Sequence, residues 1–468
     1  MKQGKGSASK ADHFIYTDFH CREQRLIQAM CQIVDFSSLS NRLRLIILSI
    51  FLLSLNGCAV TKSVQDKAWL SPTHPETELE RNNFTLAKAD DVIGRLAVIR
   101  LAKGDTLPDI ARHFSLGINA ISAANPGVDV WVPEAGERVM LPLSFILPDA
   151  PREGLVVNLA TMRVFQFKGD SKSLAVSTYP VGIGTEERPT PTGQMYVERK
   201  AIRPTWHVPA SIAEDHRKKG DPLPAKVLPG PQNPLGEYAL YLSKSGYLIH
   251  GTNKPASIGL KATNGCLRLY PENVKTLFND TPVNTPVAIV NQPYLLGQRN
   301  GALYLEAHKP LEDSGAVELE KTYAKLRKIE KQTARMLDWE KIKRVQAEAR
   351  GIPVPIFEMS PGSLKEAVEI IQVAHPHQLY GSPEIPELKL EAWYVLAADM
   401  HDQVEALRMA AIINHQGPRI PARVMAKSNG YRVITGPFND ISEAKDAAKR
   451  LKIDLGIDGI LLEPVKKI

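Results

Sequence analysis

Ile249-His-Gly-Thr-Asn-Lys-Pro-Ala-Ser-Ile-Gly-Leu-Lys-Ala-Thr-Asn-Gly-Cys-Leu-Arg-Leu-Tyr-Pro-Glu-Asn-Val274 sets a histidine, His250, sixteen residues ahead of a cysteine, Cys266, with a glycine beside each. The chain's other cysteines are Cys21, Cys31 and Cys58, and all three precede or close an apolar segment of export type. A lone thiol with a nearby histidine in an exported chain is a candidate nucleophile, not half of a disulfide. Attack requires the thiolate, and a free thiol has a pKa of about 8.5, so His250 is the candidate general base. No acidic residue stands beside His250, so a backbone carbonyl, that of Gly251 or a neighbour, is expected to orient its ring. Attack on an amide creates an oxyanion. Backbone N–H groups around Asn264-Gly265-Cys266 are expected to hold it, with Gly265 permitting close approach. The planar fork of Arg268 suits a substrate carboxylate.

Around this stretch the chain reads as β-structure. Leu155-Val-Val-Asn-Leu159, Arg163-Val-Phe-Gln-Phe167, Ala175 to Gly182, Met195 to Arg199, Tyr238 to Leu242 and Tyr247 to His250 carry strand patterns. Pro189-Thr-Pro-Thr-Gly193 is a rigid turn. Only Glu272 to Phe278 reads clearly as a helix.

His250-Gly-Thr-Asn253, followed after a spacer by Thr263-Asn-Gly-Cys266-Leu-Arg268-Leu269, resembles the L,D-transpeptidase (YkuD) family. Ordered matches at Gly182-Ile-Gly184, Thr190-Pro-Thr-Gly193, Arg203-Pro-Thr-Trp206, Pro229-Gly-Pro231 and Asn233-Pro-Leu-Gly236 extend the resemblance across residues 153–292. It implies that Cys266 attacks the third-residue carbonyl of a peptidoglycan tetrapeptide stem and expels the terminal D-alanine. The acyl group then passes to an amine: another stem, giving a 3-3 cross-link, or an acceptor lipoprotein. No cofactor is implied, and no metal-ligand spacing is visible. Asn253, Thr263 and Trp206 are expected to line the peptide groove. The sequence departs from the family at Asn264, where the usual motif has a histidine. Asn264 donates and accepts hydrogen bonds but carries no charge. Two alternatives stay open: a non-catalytic wall-binding anchor, and an L,D-carboxypeptidase or hydrolase of the same fold.

Residues 94–144 read as a small βααβ unit. Apolar positions Leu107, Ile110, Ala111 and Phe114 follow the Gly104-Asp-Thr-Leu107 turn at helical spacing, and Asn125-Pro-Gly127 stops a second helix. These residues resemble a LysM module, a binder of glycan strands. Residues 390–468 read as βαββαβ, with a hairpin at Ser428-Asn-Gly430 and a serine-capped helix from Ser442. The run Gly430-Tyr-Arg-Val-Ile-Thr-Gly-Pro-Phe438 resembles the SPOR module, which binds glycan stripped of its peptides. An RNA-binding module shares that order, but base-stacking aromatics are missing from its central strands. Residues 300–385 read as a charged helical linker, broken near Leu337-Asp338, with a further helix over Leu364 to Ala374.

Residues 1–57 are expected to be an extension and signal. Leu43 to Leu55 is apolar but short of the roughly 20 residues that span a bilayer. Leu55-Asn-Gly-Cys58 resembles a lipoprotein cleavage site, implying a lipid on Cys58, a tether over 58–93 and a membrane contact. Ala59 in place of aspartate favours the outer membrane, so the expected location is the periplasm of a Gram-negative bacterium. The net charge of +7 comes from lysines and arginines spread along the chain, which argues against nucleic acid as a partner. The expected whole is a multidomain α+β protein with a mostly β catalytic domain between two wall-binding modules.

Overall fold

The computed structural model describes residues 79–86, 90–169, 174–311, 315–357 and 370–464. Cys58, the signal segment and most of the tether lie outside the described residues. The frame of the molecule is a nine-stranded sheet. Its strands run in the order Asn83–Leu86, Leu174–Pro180, Arg163–Gly169, Gly154–Asn158, Pro286–Val290, Gly193–Ile202, Tyr238–Leu242, Leu248–His250 and Leu267–Arg268. Most neighbours are antiparallel. Two pairs are parallel: Gly154–Asn158 with Pro286–Val290, and Leu248–His250 with Leu267–Arg268.

Side-chain alternation along these strands builds two cores at once. Val156, Phe165, Phe167, Val176 and Ala288 face one way. Leu155, Val157, Val164, Val287 and Ile289 face the other. The second face is covered by the helix Pro271–Asp280 through Val274, Leu277 and Phe278. The first face is covered by the βααβ unit: the strands Leu96–Arg100 and Arg138–Leu141, paired antiparallel, and the helices α1 (Leu107–His113) and α2 (Ile118–Ala124). Leu107, Ile110, Phe114 and Ile121 join the same cluster as Phe165 and Phe167. The unit is therefore built onto the nine-stranded sheet and has no separate core.

Polar contacts fasten this junction. Arg112 on α1 makes a bidentate pair with Glu272 at 3.0 and 3.1 Å. Tyr270 donates to the Leu116 carbonyl at 3.1 Å. Arg163 is fully buried, bonds the Ser115 carbonyl and lies 4.0 Å from the Phe145 ring centroid. Burial pulls its pKa down to about 9.

The segment 300–385 departs from the expected helical linker. The strands Tyr294–Arg299 and Ala302–Ala307 form a hairpin, extended by Val354–Pro355. Two helices, Gly315–Thr333 and Trp339–Glu348, pack on it through Leu326 and Ile342, joined by Leu337 from the turn between them. The exposed faces carry the charge, and the apolar stripe that makes a core is narrow. The helix expected over Leu364 to Ala374 is also corrected. Its first part lies outside the described residues, and Ile370–Val373 is a strand added parallel to Leu96–Arg100. Its β-branched Ile-Ile-Gln-Val composition suits that sheet edge.

The C-terminal module is a four-stranded sheet, ordered Ala422–Lys427, Gly430–Phe438, Trp393–Met400, Ile460–Leu462, with helices Gln403–Asn414 and Ile441–Leu455 on one face. The second helix is capped by Asp440, whose carboxylate accepts from the Ser442 and Glu443 N–H groups, so Ser442 is not the cap. No helix among the described residues is long and apolar enough to cross a membrane.

Candidate active site

Parallel pairing of two short strands brings His250 and the turn that carries Cys266 to one sheet edge. His250 lies opposite Arg268, and Ile249 opposite Leu267. His250 is buried, and its Nδ1 lies 2.6 Å from the Gly251 carbonyl. A carbonyl only accepts, so Nδ1 carries the proton and Nε2 is left as the basic nitrogen. Burial, assisted by the Arg268 charge, pushes the His250 pKa down to about 3; the carbonyls of Gly251 and Leu235 offset this only in part. The imidazole is thus neutral at ordinary pH.

Cys266 is half-buried and its thiol donates to the Gly246 carbonyl at 3.6 Å. Burial pushes its pKa up, while the Leu248 N–H and the Arg268 charge act the other way. Arg268 is itself largely buried, and its pKa falls to about 10. One terminal nitrogen bonds Ser257 Oγ at 2.9 Å, and its buried Nε has no partner. The cation therefore acts on both groups, favouring thiolate at Cys266 and neutral imidazole at His250.

The turn before the cysteine is held from three sides. Thr263 Oγ1 accepts from the Gly265 N–H at 3.2 Å and donates to the Cys266 carbonyl at 2.7 Å. Thr190, from the Pro-Thr-Pro-Thr-Gly turn, donates to the Gly265 carbonyl and accepts from the Gly184 N–H, both at 2.9 Å. Gly265 has φ +101°, and a Cβ there would lie 2.8 Å from the Tyr247 ring. Only glycine fits. The clamp role of Thr190 was missed in the sequence, although its turn was visible there. The loop between His250 and Cys266 is braced from the βααβ unit, where the Ile118 N–H bonds the Ile258 carbonyl at 3.1 Å.

Of the remaining expected residues, Trp206 lies on a flap, Arg203 to Gly236, and Asn253 and Asn264 face it or its contacts. Trp206 pairs with Val227 at the root of the flap. Asn253 donates to the Pro231 carbonyl at 3.1 Å, tying the histidine loop to the flap. Asn264 turns to Arg188, which also contacts Asp215 on the flap helix Ala210–Lys218. The sequence reading missed both this helix and Arg188. A cavity of about 800 Å³ adjoins the Thr190 side of the turn but is lined by neither Cys266 nor His250. Among the described residues no cluster of three metal-ligating side chains exists.

A β-sheet edge that presents a buried neutral histidine and a cation-flanked thiol defines a cysteine acyltransferase type of site. Comparison with known proteins identifies the family. The L,D-transpeptidase catalytic domain (YkuD) matches residues 152–289, and the SPOR domain matches 389–463. A Salmonella typhimurium protein described as a probable L,D-transpeptidase ErfK/SrfK is 36% identical over 253 residues, covering 52% of this chain and 81% of that relative. Escherichia coli relatives described as probable L,D-transpeptidases YbiS and YcfS are 38% and 40% identical, covering 48% and 45% of this chain and 74% and 67% of theirs. The chain belongs to the L,D-transpeptidase family, and it carries a SPOR domain.

Proposed function

We propose that Cys266 and His250 carry out L,D-transpeptidation on peptidoglycan stems through a thioester. The thiol proton passes to His250 Nε2 as Sγ attacks the third-residue carbonyl of a tetrapeptide. The C–N bond to D-alanine breaks, and the departing amine takes the proton from His250. An acceptor amine then attacks the thioester, His250 again removes a proton, and Cys266 leaves as the thiol. The observation that carries this reading is the parallel strand pairing that sets His250 opposite Arg268, two residues beyond Cys266, at one sheet edge. His250 and Cys266 both rest neutral, so the imidazole is free to accept the thiol proton as Sγ attacks. The Gly251 carbonyl fixes its tautomer.

The Gly265 N–H is already engaged within the turn, so the oxyanion falls to neighbouring amides. Asn253, Thr263 and Trp206 are proposed to border the peptide groove. The acceptor is a stem amine or a lipoprotein lysine. The SPOR domain supplies glycan attachment, and the βααβ unit a second glycan contact besides its bracing role. Attachment to glycan raises the local concentration of an insoluble substrate. The protein acts in the periplasm, held to the outer membrane by a lipid on Cys58.

The test is incubation of the protein from Ala59 onward with tetrapeptide muropeptides, beside Cys266→Ala and His250→Ala, with products read by mass. D-alanine release with dimers joined through third-position residues is expected. Cys266→Ala should abolish both, and His250→Ala should slow them about 10²–10⁴-fold. D-alanine release without dimers would identify water or a protein amine as acceptor. Release by Cys266→Ala at the wild-type rate would remove the thioester mechanism.

A further inference from the structure

Asn264, the residue that breaks the family motif, is one end of a polar chain. Its Oδ1 accepts from Nη1 of Arg188 at 2.5 Å, and Nη2 of the same guanidinium meets Asp215 Oδ2 at 2.6 Å. The Arg188 backbone N–H is itself held by Thr185 Oγ1 at 3.3 Å. Asp215 lies on Ala210–Lys218, the helix of the flap, and that helix has no buried residue. No apolar core holds it down, so polar tethers must. Asp221, just beyond the helix, faces His216 at 3.2 Å and Lys449 of the C-terminal module at 3.3 Å. Asn253 holds the far margin of the flap through the Pro231 carbonyl. Arg188 reaches the turn that carries Cys266.

The chemistry at position 264 suits this arrangement. A guanidinium needs acceptors, and an amide oxygen offers two lone pairs and never charges. A histidine at the same place would offer one acceptor nitrogen when neutral and repel the guanidinium when protonated. Arg188, Asn264 and Asp215 thus form a matched set.

We infer that Arg188 is a positioning residue: with Asp215 and Asn264 it latches the flap onto the nucleophile's turn and so sets the affinity for the stem peptide. This rests on Cys266 being the nucleophile of the proposed reaction. The latch is made of exposed-side groups, with side-chain exposures of 32% and 46% for Arg188 and Asp215. Its loss should therefore change binding severalfold and not abolish the reaction.

The experiment compares the full chain with Arg188→Ala, Arg188→Lys, Asp215→Asn and the double variant Arg188→Ala/Asp215→Asn. KM for a soluble tetrapeptide should rise about fivefold in Arg188→Ala and in Asp215→Asn, with kcat within about twofold. The double variant should add nothing, because both changes break one link. Arg188→Lys should recover part of the affinity, keeping charge but losing the fork. Wild-type KM should climb more steeply than that of Arg188→Ala as salt is raised to about 0.5 M. Alkylation of Cys266 by iodoacetamide should stay within about twofold of wild type, since the surroundings of the thiol do not include Arg188. Additive KM effects, or alkylation and kcat falling together, would overturn the latch. Hydrogen exchange of residues 210–218 reads it without turnover: faster exchange in Arg188→Ala and Asp215→Asn is expected, and unchanged exchange sinks it. A wild type whose exchange in this helix is slowed by the latch, but which releases no D-alanine, would discard the catalytic reading and keep the latch.

Discussion

Burial acts in opposite senses on His250 and Cys266. It lowers the His250 pKa and raises that of Cys266, so both rest uncharged. Arg268 favours the thiolate on Cys266 and disfavours the protonated imidazole on His250. Replacing it with an uncharged residue of similar length, Arg268→Met, should move the pH dependence of Cys266 alkylation to higher pH. An unmoved profile would show that the guanidinium does not reach the thiol. His250 also makes a stability statement. Its folded pKa, about 3, lies below the ordinary histidine value of 6.5, so the unfolded chain binds more protons between those limits. Its stabilising contribution is present above about pH 6.5 and is lost as pH falls toward 3. His113, lowered to about 4 by burial and by Arg81, contributes with the same sign. Denaturant titrations of wild type and His250→Gln should diverge across this window, with the wild type showing the steeper acid loss. At this scale the sequence was legible where spacing carries chemistry. His250, Gly251, Gly265, Cys266 and Arg268 were all candidates, and the structure gathers them at one sheet edge. Arg188 was not legible, because it lies 76 residues from Asn264 and nothing local marks the pair.

The elements around the site stand or fall with single contacts. The Thr190 hydroxyl joins Gly184 to the turn that carries Cys266 through one donated and one accepted hydrogen bond. Thr190→Val keeps the shape but leaves the buried Gly184 N–H and Gly265 carbonyl without that partner, at a cost of about 1–3 kcal/mol. Because the turn also aims Cys266, kcat should drop with stability, whereas a merely local loss would leave kcat intact at temperatures where the variant stays folded. Strand patterns were readable because alternation divides each strand between two cores, as Val156 and Leu155 do. The flap helix Ala210–Lys218 was unreadable for the complementary reason. It buries nothing, so it carries no apolar period to find. The strand Ile370–Val373 was mistaken for helix because its pattern is set by the edge it joins, far away in sequence.

At the scale of the molecule, the modules share more surface than their separate sequence patterns suggest. The βααβ unit and the catalytic sheet have one continuous core. A boundary drawn at a change of local pattern does not reveal that, because both sides contribute apolar residues of the same kind. The C-terminal module keeps its own core and meets the rest through polar contacts: Arg408 with Asp129, His415 with Asp109 at 3.2 Å, Lys254 with Asp454 at 3.7 Å and Lys449 with Asp221. It comes near the catalytic domain at Gly417, where a Cβ would lie 1.8 Å from the Asn253 carbonyl oxygen and 3.0 Å from Lys254 Cα. These are backbone atoms of the loop that follows His250, and they cannot step aside. Gly417→Ala should therefore unseat the module while leaving its core intact. The connecting stretch before Trp393 exposes Leu388 and Leu390. Limited proteolysis there should accelerate by about tenfold if the seat contributes some 1.4 kcal/mol. Glycan pull-down by the variant should persist, since the sheet and its helices are untouched. Proteolysis at the wild-type rate would mean that the polar contacts alone hold the module, and raising salt should then release it where Gly417→Ala did not.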